Sequence, residues 1–148
     1  MTDRISADDL FERGVRLLAE ANSLGALACF EKAYVTEQTP RIRSYLGYCI
    51  AAQRGQTEEA LRLCLSAIEE DPGNPDHYLN MGRVYLTSKR KNEAIAALRK
   101  GLSAGDSPAI KALLADLGMR KKQVFPFLPR QHLLNKYAGL ILHRLRLR

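Results

Sequence analysis

Apolar residues recur along this chain at the three- and four-residue steps of a helix face, and the pattern itself repeats. Ala26, Ala60 and Ala94 lie 34 residues apart. The same interval joins Leu27, Leu61 and Ile95, then Phe30, Cys64 and Leu98, then Ala33, Ala67 and Gly101. A period of this length describes helix pairs that cannot bury their apolar faces alone and stack on copies of themselves. The pattern predicts an all-α solenoid of antiparallel helix pairs.

Three units follow, at about 7–40, 41–74 and 75–108. The first opens at Ser6, with Asp8 and Asp9 in the first turn, where carboxylates favour the helix dipole. Leu10, Gly14, Leu17 and Leu18 carry its first helix, Asn22 to Gly25 the turn, and Pro40 closes the unit. In the second, Leu46, Gly47, Ile50 and Ala51 mark the first helix and Arg54-Gly55-Gln56 the turn. Thr57 reads as the next N-cap, and the run from Asp71 to Pro75 is a strong turn signal. The third carries Leu79, Met81, Gly82 and Tyr85, a basic turn from Ser88 to Asn92, and a second helix with Ala94, Ile95, Leu98 and Leu102.

Past residue 108 the repeat stops. Ser107-Pro108 is a start signal. Ile110, Leu113, Leu114 and Leu117 form one apolar stripe, and Gly118 is the expected stop. This predicts a capping helix over 109–119. The rest, 120–148, reads as a basic, apolar segment: an extended stretch around Phe125, Phe127 and Leu128, then a helix from Gln131 to about Leu145.

These residues resemble the tetratricopeptide repeat family. Arg13-Gly14, Leu46-Gly47 and Met81-Gly82 stand at the family's Leu-Gly step. Tyr85 takes its aromatic position, with Leu17 and Ile50 as apolar substitutes. Ala26, Phe30 and Ala33, Ala60 and Ala67, and Ala94 and Leu98 match the second helix, and Pro72 and Pro75 the closing turn. The resemblance covers about 7–108 and implies a right-handed solenoid. Small residues at the crossing let the helices approach closely while large ones fill the gaps. Three positions depart from the pattern. The glycines are 33 and then 35 residues apart, Lys89-Arg90 replaces the usual Gly-acid turn, and Gly101 replaces an Ala at a nominal cost of about 1 kcal/mol.

Composition narrows the function. Cys29, Cys49 and Cys64 lie in helices without metal-site spacing. They read as reduced core residues, which together with a polar N-terminus lacking a signal-peptide pattern implies a cytoplasmic protein. The net charge of +7 is one-sided: residues 1–40 sum to −3, 41–74 to −1, 75–108 to +3 and 109–148 to +8. No catalytic set, metal cluster or phosphate loop is visible, so neither enzyme activity nor a cofactor is expected. His77 reads as a surface residue near a helix start.

Function is therefore expected to rest on surfaces. In the family the first helix of each unit lines a concave groove. Carried over, this gives Phe11, Val15, Leu18, Tyr48, Leu79, Arg83 and Leu86, an apolar wall suited to a partner peptide or amphipathic helix. The expected role is a protein–protein adaptor, with Tyr48→Ala and Leu79→Ala weakening binding without unfolding the chain. The family's carboxylate clamp is not expected, because its places hold Phe11, Val15, Tyr45, Asp76 and Asn80. The alternative is membrane association or self-association through the basic tail. Lys89, Arg90, Lys91, Arg120, Lys121, Lys122, Arg144, Arg146 and Arg148 form the basic surface. Nucleic acid is a weaker reading, since these segments hold few aromatic residues.

Overall fold

The computed structural model describes residues 5–119. They form seven α-helices and no strand: α1 (Ala7–Ala19), α2 (Ser23–Thr36), α3 (Pro40–Arg54), α4 (Thr57–Glu70), α5 (Pro75–Thr87), α6 (Lys91–Ala104) and α7 (Pro108–Met119). The described residues up to Leu114 make one compact unit, and Ala115 begins a second. The expected segment 120–148 lies outside the described residues.

Polar side chains start most of the helices. The Ser6 hydroxyl accepts from the Asp9 N–H at 3.0 Å, and the Asp9 carboxylate accepts from the Ser6 N–H at 3.2 Å, a reciprocal capping box. The Ser6 hydroxyl also donates to the Asp9 carboxylate at 2.7 Å, and this bond, followed by that from the Ser6 N–H, holds the Asp9 carboxyl below its usual value. Asn22, Thr39, Asn74 and Ser107 each accept a backbone N–H at the head of α2, α3, α5 and α7. Three boundary expectations need correction. Pro40 does not close the first unit; it is the first residue of α3, where a missing N–H costs nothing. Thr57 is the first helical residue rather than the cap, and Gln56 before it makes no side-chain capping bond. Gly118 lies inside α7.

Each hairpin closes on a glycine. A Cβ on Gly14 would lie 2.6 Å from the Phe30 ring, and one on Gly82 would lie 2.7 Å from Leu98. In the middle hairpin the opposing side chain is the small Cys64, whose Sγ would lie 3.2 Å from a Cβ on Gly47. A Cβ on Gly47 would come 2.8 Å from the Ala60 carbonyl oxygen. Side chain and glycine are thus matched in size across each crossing.

Gly101 follows the same logic, which corrects the expectation that it is merely a weak helix residue. A Cβ there would meet Ile110 at 2.6 Å and the Tyr78 Cβ at 2.8 Å. The glycine lets α5, α6 and the start of α7 converge, with Ile110 fully buried.

The junctions between units differ in chemistry. Between the first and second, Phe11, Phe30 and Tyr45 form an aromatic cluster, with ring centroids 5.2–5.7 Å apart. Burial pushes the Tyr45 hydroxyl up in pKa. Between the second and third, Ser44, His77 and Asn80 are fully buried polar residues bonded to one another.

Candidate functional site: a cleft on the first helices

The sequence-predicted wall is divided by burial. Phe11 belongs to the core, with Arg41 stacked 4.5 Å over its ring and paired with Asp8 at 3.0 Å. Leu79 is only 4% exposed. Leu79→Ala would therefore cost about 2–5 kcal/mol as a core truncation, and it is not the neutral binding probe expected from sequence. Val15, Leu18, Tyr48, Arg83 and Leu86 are half-buried.

Tyr48, Leu79, Arg83 and Leu86 converge on one cleft of about 450 Å³, joined by Thr87 and by Ala109 and Leu113 of α7. Successive turns of α5 bring Leu79, Arg83 and Leu86 to one face. The Arg83 guanidinium lies 5.3 Å from the Tyr48 ring centroid and donates to the Asn80 side-chain oxygen at 3.4 Å. An apolar floor with one oriented cation suits an apolar side chain beside a hydrogen-bond acceptor. Ala109 and Leu113 were missed because sequence reading assigned α7 to capping alone. Their spacing on one helix face was the available signal. Phe11, Val15 and Leu18 do not line this cleft.

His77 is not on the surface. It is 0% exposed. Its Nδ1 lies 2.9 Å from the Ser44 hydroxyl and its Nε2 lies 3.1 Å from an Asp71 carboxylate oxygen. Asn80 donates to the same hydroxyl at 3.4 Å, and the hydroxyl lies 3.2 Å from the Arg41 carbonyl oxygen. The order Ser–His–Asp matches that of a hydrolase triad, but Ser44 is fully enclosed. No substrate carbonyl can reach its Oγ, and the network joins helices instead.

Arg90 is held by neighbours: it donates to Glu93 at 3.1 Å, approaches Glu58 at 3.9 Å and stacks 4.9 Å from the Tyr85 ring centroid. Glu93 is held below its usual carboxylate value by its own backbone N–H and by Arg90. Lys89 and Lys91 are exposed. Arg120, Lys121, Lys122, Arg144, Arg146 and Arg148 lie outside the described residues. The three cysteines are free and buried, and burial pushes the Cys49 and Cys64 thiols up to about 12. Among the described residues no His, Cys, Asp and Glu group could hold a metal ion, and no helix is long and apolar enough to cross a membrane.

Comparison with known proteins agrees with this architecture. Two tetratricopeptide repeat family profiles match, at residues 11–75 and 51–117. The chain belongs to the tetratricopeptide repeat family. A search of curated proteins finds no match. Among solved structures it is similar to the tetratricopeptide repeat domain of Sgt2 from Aspergillus fumigatus, with 23% identity, 77% of this chain and 78% of that chain covered, and a TM-score of 0.60. It is also similar to YrrB, described as a repeat protein with an unusual peptide-binding site, at 25% identity, 75% and 57% coverage and a TM-score of 0.58. The third is the Yersinia enterocolitica type III secretion chaperone SycD in complex with a peptide of the translocator YopD, at 18% identity, 76% and 86% coverage and a TM-score of 0.55.

Proposed function

We propose that this chain is a non-enzymatic protein-interaction adaptor that docks a partner peptide or amphipathic helix in the cleft of Tyr48, Leu79, Arg83 and Leu86. One observation carries the reading: these residues, drawn from α3 and α5, border a single cleft of about 450 Å³ together with α7. Similarity to SycD, solved with a bound peptide, and to YrrB, described by its peptide-binding site, supports the same class of ligand. An apolar side chain of the partner fills the floor while Arg83 takes a carbonyl or carboxylate oxygen. The buried free thiols suit a reducing compartment, and a cytoplasmic location is part of the proposal.

The test starts from peptides selected for binding to the full chain from a random displayed library. They are then measured against a Tyr48→Ala/Leu86→Ser variant shown to be folded by circular dichroism. Loss of binding supports the cleft. Selected peptides that bind the folded variant unchanged would reject it.

A further inference from the structure

A second cleft, of about 540 Å³, lies along the first helix pair. Leu10, Arg13 and Leu17 of α1 and Ala28, Cys29 and Lys32 of α2 line it, with Ile5 at its rim. Its position has a counterpart in the same chain. Two repeat periods further on, the same positions of α5 and α6 hold Tyr78, Met81, Tyr85, Ala96, Ala97 and Lys100, and these line another cleft. That cleft has additional walls, Leu65 and Ile68, both from α4. In the middle unit the equivalent positions Leu46, Ile50 and Leu63 share a core cluster with Leu27 and Tyr34 of α2. At both internal positions, then, this face receives the second helix of the preceding unit. At the first unit the face is shaped alike, and among the described residues no helix precedes it.

The substitutions on this face are informative. Leu10 and Leu17 remain apolar, and Ile5 is 57% exposed. The position filled by Leu46 and Met81 in the later units is here Arg13. Arg13 and Lys32 are exposed, and among the described residues neither has an ion-pair partner. Two cations thus border an apolar seat whose internal copies pack beside a preceding helix. The geometry points to a docking site for an acidic amphipathic α-helix of another protein, lying where the second helix of a preceding unit would lie. Its apolar stripe covers Ile5 and Leu17 over a floor of buried Leu10 and Cys29, and its carboxylates meet Arg13 and Lys32. This face is separate from the Tyr48–Leu86 cleft and does not depend on it.

The chain itself supplies a probe. α4 is the helix that walls the internal copy of this seat, and its sequence carries four glutamates against one arginine. A labelled synthetic peptide of residues 56–71, stapled along its polar side to hold it helical, is titrated into the full chain. Saturable binding is expected, weakened at least tenfold by Arg13→Glu/Lys32→Glu and unchanged by Arg83→Glu in the other cleft. Both substituted cations are exposed, so the fold should be retained, and circular dichroism checks this. The inference is overturned if the peptide does not bind, if the double variant binds it equally well, or if a scrambled peptide of equal charge binds as tightly. It also fails if light scattering shows a dimer that Arg13→Glu/Lys32→Glu dissociates, because a second copy then occupies the face.

Discussion

The Ser44 hydroxyl and His77 Nδ1 meet at 2.9 Å, 33 residues apart in sequence and both fully enclosed. Nδ1 lies within hydrogen-bonding distance of the Ser44 hydroxyl and Nε2 of the Asp71 carboxylate, so every polar atom of the imidazole has a partner. His77→Phe removes both bonds and leaves the Ser44 hydroxyl with a poorer set of partners. Stability should fall by about 1–3 kcal/mol, read as a lower urea midpoint. An unchanged midpoint would mean that the network contributes nothing to the junction.

Gly101 should not tolerate alanine. A helix interior gains about 1 kcal/mol from Gly→Ala, but overpacking costs about 1–3 kcal/mol. Here the new methyl meets the stiff Tyr78 Cβ as well as Ile110. Gly101→Ala should lower the melting temperature, whereas Gly118→Ala, inside α7 with nothing within 4 Å, should raise it. Stabilisation by Gly101→Ala would show that the convergence there is looser than described.

Two turns carry strain that glycine would relieve. Ala21 and Lys89 adopt left-handed φ angles of 59° and 61° at matching places in the first and third hairpins. The middle hairpin uses Gly55 at φ 67° instead. A left-handed residue with a Cβ costs about 1–2 kcal/mol, partly offset by the greater unfolded-state freedom of glycine. Lys89→Gly should therefore stabilise the chain by up to about 1 kcal/mol in chemical denaturation. A loss would mean that the Lys89 side chain makes a contact worth more than the strain.

The thiols give a pH prediction. Cys49 and Cys64 ionise near 12 in the folded chain against a reference of 9.0. The folded state then holds protons that the unfolded state releases, so stability is unaffected well below pH 9 and falls as pH rises above it. At pH 8 an aromatic disulfide reagent should modify both residues only as fast as the chain opens. Rapid labelling of the native chain, located by mass spectrometry, would show that these sites are not sealed.

Much of the fold was legible because period and residue size carry it. The Gly14–Phe30 and Gly82–Leu98 pairs are visible as a small and a large residue at fixed spacing, and the crossing they predict is the one observed. His77 was misread because a polar residue near a helix start is ordinarily exposed. It is buried at a junction where it bonds to Ser44, a neighbour that only stacking brings near. Gly101 was misjudged for the same reason, since Ile110 and Tyr78 come from other helices. The groove was half legible. Helix phase selects Leu79, Arg83 and Leu86, but phase alone does not separate Phe11, sealed by Tyr45 and Arg41, from Tyr48 at the cleft.

The unlike junctions have a thermal consequence. Aromatic burial around Phe11, Phe30 and Tyr45 loses driving force on cooling, because the hydrophobic contribution weakens toward low temperature. The polar bonds of Ser44, His77 and Asn80 do not share that origin. In a stack stabilised mainly by nearest neighbours, a chilled chain should fray first at its leading hairpin. Amide exchange near freezing would then be fastest in α1 and α2, while α3 to α6 stay closed.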